Sequence, residues 1–380
     1  MTGNLTSADR NRLAAAIHAA AQSGVLAVTG GGSLLLGHLL TVPGASATLL
    51  DARVPYSSAA LADFIGTTPE QACSAATACD IAMAGWQRAV KLAPAAPALR
   101  FGFGCTASLA TREPKRGGHR AHLALQTLAC TRLWSVEFAK GTRKRAAEER
   151  LLGDLALLAL ADGLGVSHDY AAALGARDVL SSDAVDAPQP WRDVLLGRRH
   201  TVAIHDPTPP RVLFPGAFNP LHAGHRALAR HAQRITGAAV AFEICANNVD
   251  KPRLNYLAIA RRLEQFDAAT PVWLTDTATF VEKARAFPGV TFSVGSDTMV
   301  RIADPKYYAD DVNRMAAAID EIGALGCRFL VFGRHLDGRF VTLDDLALPA
   351  SLRALCDAVA ESDFRHDVSS TGLRRGRARD

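Results

Sequence analysis

Nowhere in this chain do about 20 apolar residues follow one another, which leaves no candidate for a membrane-spanning helix. The longest approach, Leu151–Leu164, is broken by Gly153, Asp154 and Asp162. CxxC pairs are also missing. The seven cysteines (Cys73, Cys79, Cys105, Cys130, Cys245, Cys327 and Cys356) are odd in number and scattered, which argues against a disulfide framework or a structural zinc site and for a reducing compartment. The first residues carry no charged-then-apolar leader, so a cytoplasmic location is expected. The two signs of charge are nearly balanced as well. The net charge is +5, and part of it sits on Arg374, Arg375, Arg377 and Arg379, so neither nucleic acid nor a membrane surface is an expected partner.

What is present is enough apolar material for two cores. The chain has 380 residues, 49% hydrophobic and 21% charged. Residues 1–165 are rich in Ala, Gly and Leu. Ser7 or Asp9 is placed to cap a first helix running to Ala21, Leu26–Thr29 reads as a strand entering Gly30-Gly31-Gly32, and a helix is expected from Ala146 to about Ala161. Residues 166–208 contain Ser181-Ser182, Pro188, Pro190 and Pro207, the composition of a connector. From 209 to 380 the pattern changes. Apolar runs at Val212–Phe214, Val240–Ile244, Val272–Leu274, Val290–Val294 and Arg328–Phe332 alternate with helical stretches at about 224–236, 255–268, 277–286, 311–323 and 343–360. Such alternation predicts an α/β unit with a parallel sheet and helices on both faces, whose ligands bind beyond the carboxyl ends of the strands.

The first of those ends reads Phe214-Pro-Gly216-Ala217-Phe218-Asn-Pro-Leu-His222-Ala-Gly224-His225. Gly216 and Gly224 allow close backbone approach, and a helix starting near Gly224 points free N–H groups at an anion. Two imidazoles three residues apart at a helix start both reach that anion. At the far end, Ser369-Ser370-Thr371 followed by Arg374 would make a polyphosphate clamp, since hydroxyls and a guanidinium suit phosphate oxygens. Gly295-Ser-Asp297-Thr, after the strand Val290–Val294, reads either as a ligand loop or as a plain turn with Asp297 as N-cap. Lys251 lies in the loop after the second strand, near the phosphates or simply solvated.

These stretches resemble the HIGH-type nucleotidylyltransferase superfamily: GAFNPLHAGH the HxGH signature, Val368-Ser369-Ser370-Thr371-Gly-Leu-Arg374 the ISSTxxR motif, and Gly295-Ser-Asp297-Thr the segment lying against the nucleotide. The resemblance implies a Rossmann-like fold and transfer of a nucleotidyl group from ATP or another nucleoside triphosphate to a phosphorylated acceptor. It implies His222 and His225 on the transferred group. Gly216, Ala217, Phe218, Gly224, Lys251, Gly295 and Asp297 would lie along the nucleotide, with Ser369, Ser370, Thr371 and Arg374 on the β- and γ-phosphates. Mg²⁺ would be carried by the triphosphate. The combination is closest to nicotinamide or nicotinate mononucleotide adenylyltransferases. Alternatives are adenylyl or cytidylyl transfer to phosphopantetheine or another phosphorylated small molecule, and a non-catalytic nucleotide-binding regulator.

Residues 26–66, with VPGAS, a Tyr56-Ser57 pair and LADFIG, resemble the C-terminal domain of the competence/damage-inducible (CinA) family, many of whose members hydrolyse the amide of nicotinamide mononucleotide. In that alignment Thr29 stands where the family has its serine, and Leu61 where it has a lysine. A serine-type hydrolase needs an activated hydroxyl with a proton acceptor beside it, so the expectation is a degenerate α/β domain without the hydrolase activity. Its remaining ligand loop would comprise Thr29, Gly30, Gly31, Gly32, Ser33 and Thr106, with GGGS also readable as a tight turn. A homo-oligomer is compatible with this composition and not required by it.

Overall fold

The computed structural model describes residues 5–113, 115–170, 173–249, 252–336 and 339–364. They divide into two compact units, Met1–Arg192 with Asp250–Ala258, and Asp193–Val249 with Ile259–Asp380. Both are α/β.

The first unit is built on β1 (Ser23–Thr29), β2 (Leu49–Arg53), β3 (Arg100–Ser108), β4 (His119–Thr127), β5 (Cys130–Phe138) and β6 (Val179–Asp186), in the order β2-β1-β3-β4-β5-β6. β1 runs parallel to both neighbours, and β3 to β6 form an antiparallel meander. Every residue of β1 is buried, as expected of a parallel strand covered on both faces. One face carries Ser7–Ala19, Leu34–Leu40 and Arg145–Gly163, whose Leu13, Ile17, Leu35, Leu152 and Leu155 pack with Leu26, Phe101 and Leu123 of the sheet. The first helix is capped by Thr6, one residue before the expected Ser7, because Thr6 and Asp9 exchange hydrogen bonds in a capping box.

On the other face the helix Ala75–Leu92 lies directly on β3. A Cβ at Gly102 would stand 2.0 Å from the Ala82 carbonyl oxygen, so glycine is required for the contact. Tyr256 and Leu257 also belong to this unit. Leu257 packs among Ala78, Ala82 and Leu133, while the Tyr256 amide donates to Thr131 Oγ1 at 3.0 Å and its hydroxyl to the Leu128 carbonyl at 2.9 Å.

In the second unit β7 (Thr201–Ala203), β8 (Val212–Pro215), β9 (Val240–Cys245), β10 (Val272–Thr275), β11 (Thr291–Gly295) and β12 (Arg328–Phe332) precede a small hairpin of β13 (Arg334–Leu336) and β14 (Arg339–Val341) and then β15 (Cys356–Ala358). The large sheet runs β15-β12-β11-β8-β9-β10-β7, parallel throughout except for β7. Counted from β8, the parallel strands stand in the order 3-2-1-4-5-6, the doubly wound arrangement whose ligand crevice opens where the order reverses, between β8 and β11. The expected strands of this half are therefore present and parallel.

Two expectations are corrected. Residues 166–208 are more than a connector: β6 completes the first sheet and β7 edges the second, because an edge strand needs only backbone pairing and tolerates Ser and Asp side chains in solvent. The helix expected over 343–360 is only Ala350–Ala354, after which Cys356–Ala358 pair with Phe329–Val331 as β15. Pro349 fixes where that helix starts, and the sheet edge captures the chain just after its end. Among the described residues no helix is long and apolar enough to cross a membrane.

Candidate active site

The crevice begins at the carboxyl end of β8. Gly216 is half-buried, and a Cβ there would meet the Phe218 ring at 2.4 Å. Phe218 holds a left-handed backbone (φ 42°) and is 1% exposed, its ring packed edge-on against Phe214, Phe266 and His225. Its side chain is therefore an anchor that fixes the loop from below, with no ring surface to offer a ligand.

Two residues outside every sequence motif hold the loop from the side. Gln265 accepts from the Leu221 amide at 2.7 Å and donates to the Phe218 carbonyl at 2.9 Å. Arg262 donates to the exposed Ala217 carbonyl at 2.9 Å. Both stand at the end of a helix distant in sequence, so only the fold reveals them.

His222 is the N-cap of the helix Ala223–Thr236, Gly224 is buried in its first turn, and His225 follows one turn on. The two imidazoles stack with centroids 3.7 Å apart and planes at 24°. The His222 amide donates to His225 Nδ1 at 3.3 Å, so that nitrogen carries no proton and the ring hydrogen is assigned to Nε2. Burial, then the neighbouring His222 and Arg334, push the His225 imidazolium down to about 3. At neutral pH His225 is thus an uncharged N–H donor, able to hydrogen-bond a phosphate oxygen without first losing or gaining a proton.

Across the switch point, Gly295 ends β11 and caps the helix Ser296–Ile302. A Cβ on Gly295 would stand 2.3 Å from Asp297 Oδ1 and 2.8 Å from Arg334 Nε. Asp297 is half-exposed, 3.9 Å from Arg334, and is not the N-cap. Ser296 Oγ ties the turn down by donating to the Val341 carbonyl at 2.9 Å. Arg334, which no motif marks, follows Gly333 at the carboxyl end of β12 and is the cation that links this loop to His225. Its signal in the sequence is only an Arg directly after a predicted strand. The structure thus brings together His222, His225, Gly295, Asp297 and Arg334. Lys251, Ser369, Ser370, Thr371 and Arg374 lie outside the described residues.

The other candidate loop belongs to the first unit, at the carboxyl end of β1. A cleft of about 360 Å³ is lined by Thr29, Gly30, Gly31, Ser33, Tyr56, Arg145 and Glu149, among others. The glycines are demanded by the backbone: Gly30 and Gly32 have φ of 71° and 86°, and a Cβ on Gly30 would strike the Ala107 carbonyl at 2.0 Å. Thr106 pairs with Thr29 in the β1–β3 register but turns its hydroxyl to the Ala72 carbonyl at 2.7 Å and does not line the cleft. Leu61 is 2% exposed and packs with Ala27, Ile65 and Ile81.

Comparison with known proteins divides along the chain. Residues 213–376 match the family model described as cytidylyltransferase-like. The C-terminal half therefore carries a nucleotidyltransferase-type domain. Solved structures similar to this chain over its N-terminal part include the competence/damage-inducible protein CihA from Agrobacterium tumefaciens, 21% identical over 43% of this chain and 99% of that one with a TM-score of 0.32. A CinA-superfamily protein from Klebsiella pneumoniae is 17% identical over 42% of this chain and 99% of its own, with a TM-score of 0.33. One from Escherichia coli is 15% identical over 41% and 90%, with a TM-score of 0.32. No curated protein matches the sequence significantly.

Proposed function

We propose that the C-terminal unit is an adenylyltransferase that joins ATP to nicotinamide or nicotinate mononucleotide and releases pyrophosphate. The observation that carries this reading is the stacked His222–His225 pair at the switch point of the cytidylyltransferase-like domain, with His225 held as a neutral donor. In the reaction an oxygen of the acceptor phosphate attacks the α-phosphorus in line, the bond from that phosphorus to the bridging oxygen breaks, and pyrophosphate leaves with the electron pair. No side chain becomes covalently attached, so the protein contributes position and charge stabilisation.

In this reading His225 Nε2–H and His222 donate to oxygens of the transferred group, where charge builds in the transition state. Arg334 neutralises charge from the β12 side. Gln265 and Arg262 hold the loop on which both histidines depend. The Ser369–Thr371 hydroxyls and Arg374 would take the β- and γ-phosphates. Mg²⁺ would neutralise the triphosphate, held chiefly by phosphate oxygens; among the described residues no group of three or more His, Cys, Asp and Glu is placed to hold a metal, and Asp297 is the carboxylate at the crevice. The N-terminal unit is read as non-hydrolytic, which is supported by Leu61 lying in the core where a base would be needed.

Purified protein given ATP or CTP with a panel of phosphorylated acceptors, read by pyrophosphate release, tests the proposal. ATP with a pyridine mononucleotide should be the productive pair. Turnover only with CTP and a phosphorylated alcohol would replace it with the cytidylyl alternative.

A further inference from the structure

The helix that begins with the two stacked histidines carries a third. His231 is 7% exposed and lies two turns beyond His225 on the helix Ala223–Thr236, about 9 Å along its axis. Its Nδ1 stands 2.6 Å from a guanidinium nitrogen of Arg234. Arginine can only donate, so that nitrogen carries no proton and the ring is neutral, with its hydrogen on Nε2. Burial first, then Arg234, hold the imidazolium below its ordinary range against the carboxylate of Asp363. The neutral ring packs edge-on against two phenyl rings, Phe332 at 5.9 Å and Phe364 at 5.6 Å, which meet each other edge-on at 5.1 Å.

The three rings come from three separate parts of the second unit. Along β12, Phe329 and Val331 pack into the core with Leu213 and Phe292, so alternation sends Phe332 to the opposite face, where His231 lies. Arg334 follows Phe332 by two residues. Phe364 arrives from beyond β15. The Val359 amide still donates to the Val331 carbonyl at 3.0 Å, and then the Asp363 and Phe364 amides turn back to the Ala360 carbonyl at 3.1 and 3.2 Å. That turn delivers Phe364 onto Phe332 and His231, five residues ahead of Ser369.

We infer that His231 and Phe332 form a seat for Phe364, and that Phe364 is a positioning residue which sets the Ser369–Thr371 hydroxyls and Arg374 against the nucleotide's β- and γ-phosphates. The inference rests on the transferase reading and adds to it how the polyphosphate end is organised. Five residues of chain reach at most about 18 Å, so a seated Phe364 confines the clamp to the neighbourhood of Arg334 and the histidine pair. A segment tethered only by its backbone would have to order itself at each binding event, and that lost freedom would count against the nucleotide. Seated in advance, it offers the clamp at high effective concentration.

The test is equilibrium binding of Mg²⁺–ATP, with Mg²⁺–CTP alongside, to the full chain by calorimetry, with no acceptor present so that no transfer intervenes. Wild type, Phe364→Ala, Arg374→Ala and the double variant are compared. Arg374→Ala removes the clamp's cation, whereas Phe364→Ala removes only its anchor. Each single variant should lose roughly fivefold or more in nucleotide affinity. The double variant should stay within about twofold of the weaker single one, because a broken clamp gains nothing from its anchor. Phe364→Leu keeps an apolar side chain on the seat and should fall between wild type and Phe364→Ala; it carries the test should the alanine variant fold poorly. Wild-type affinity in folded Phe364→Ala and Phe364→Leu, or losses that simply add in the double variant, overturns the inference. Wild type that binds neither nucleotide defeats the transferase reading itself, and the inference falls with it.

Discussion

Gln265 offers the sharpest view of how the histidine loop is held. Its side chain closes two hydrogen bonds to the loop backbone, one to the Leu221 amide and one to the Phe218 carbonyl. Gln265→Met keeps the length of the side chain and removes both. Each lost hydrogen bond costs about 0.5–1.5 kcal/mol net, and the loop is only part-buried, so water can rescue some of what is lost; about 1–3 kcal/mol in all is expected. For a unit of this size that lowers the melting temperature by roughly 2–12 °C.

The effect on turnover should exceed the effect on stability. A displacement of about 1 Å at a reacting group is enough for roughly a 10²-fold loss, and His222 and His225 come directly after this loop. Gln265→Glu, which still accepts from Leu221 but repels the Phe218 carbonyl, should fall between. Differential scanning fluorimetry and single-turnover pyrophosphate release measure the two effects. A methionine variant with the expected loss of stability but kcat within twofold of wild type would refute the idea that Gln265 positions the histidines.

Buried titratable groups lead to further expected outcomes. His225, held down to about 3 against an ordinary value of 6.5, should show no NMR titration between pH 6 and 8. Its contribution to stability is complete above pH 6.5 and is lost as pH falls toward 3, where the unfolded chain gains a proton that the folded one resists. Arg334→Met removes one of the cations that depress it, so the imidazole should titrate at higher pH; no upward movement would separate Arg334 from His225. Elsewhere in the same sheet, Lys283 Nζ lies 2.7 Å from Glu243 Oε1 with both groups buried. Burial alone would lower the lysine, but Glu243 outweighs it and the net shift is upward. Lys283→Met leaves Glu243 buried and unpaired and should cost about 3–5 kcal/mol in urea unfolding. A double variant with Glu243→Gln should recover part of that loss.

Much of the C-terminal unit is legible in its sequence because a doubly wound sheet writes itself as short apolar runs separated by helical stretches. The runs at Val212, Val240, Val272, Val290 and Arg328 are all parallel strands, and His222 and Gly295 fall at the ends where such sheets bind ligands. The features that are not legible share a cause. Gln265, Arg262 and Arg334 act through contacts with residues far away in sequence, and no motif marks them. β6 and β15 carry no strand signal because edge strands owe their existence to a neighbour's unpaired backbone, not to their own side chains. Glu149 is the plainest case: a charged residue on a helix reads as a solvated face, and only the fold brings it to the amides of Gly32 and Ser33.

We propose that His225, a neutral donor at the switch point of the second sheet, stabilises nucleotidyl transfer. Pyrophosphate release from ATP and a pyridine mononucleotide by wild type and His225→Ala tests it most directly. Wild type should give measurable release, and kcat should fall by about 10²-fold or more in the variant with a smaller change in acceptor KM, as for a group serving mainly the transition state. An unchanged kcat in a folded His225→Ala protein would contradict it.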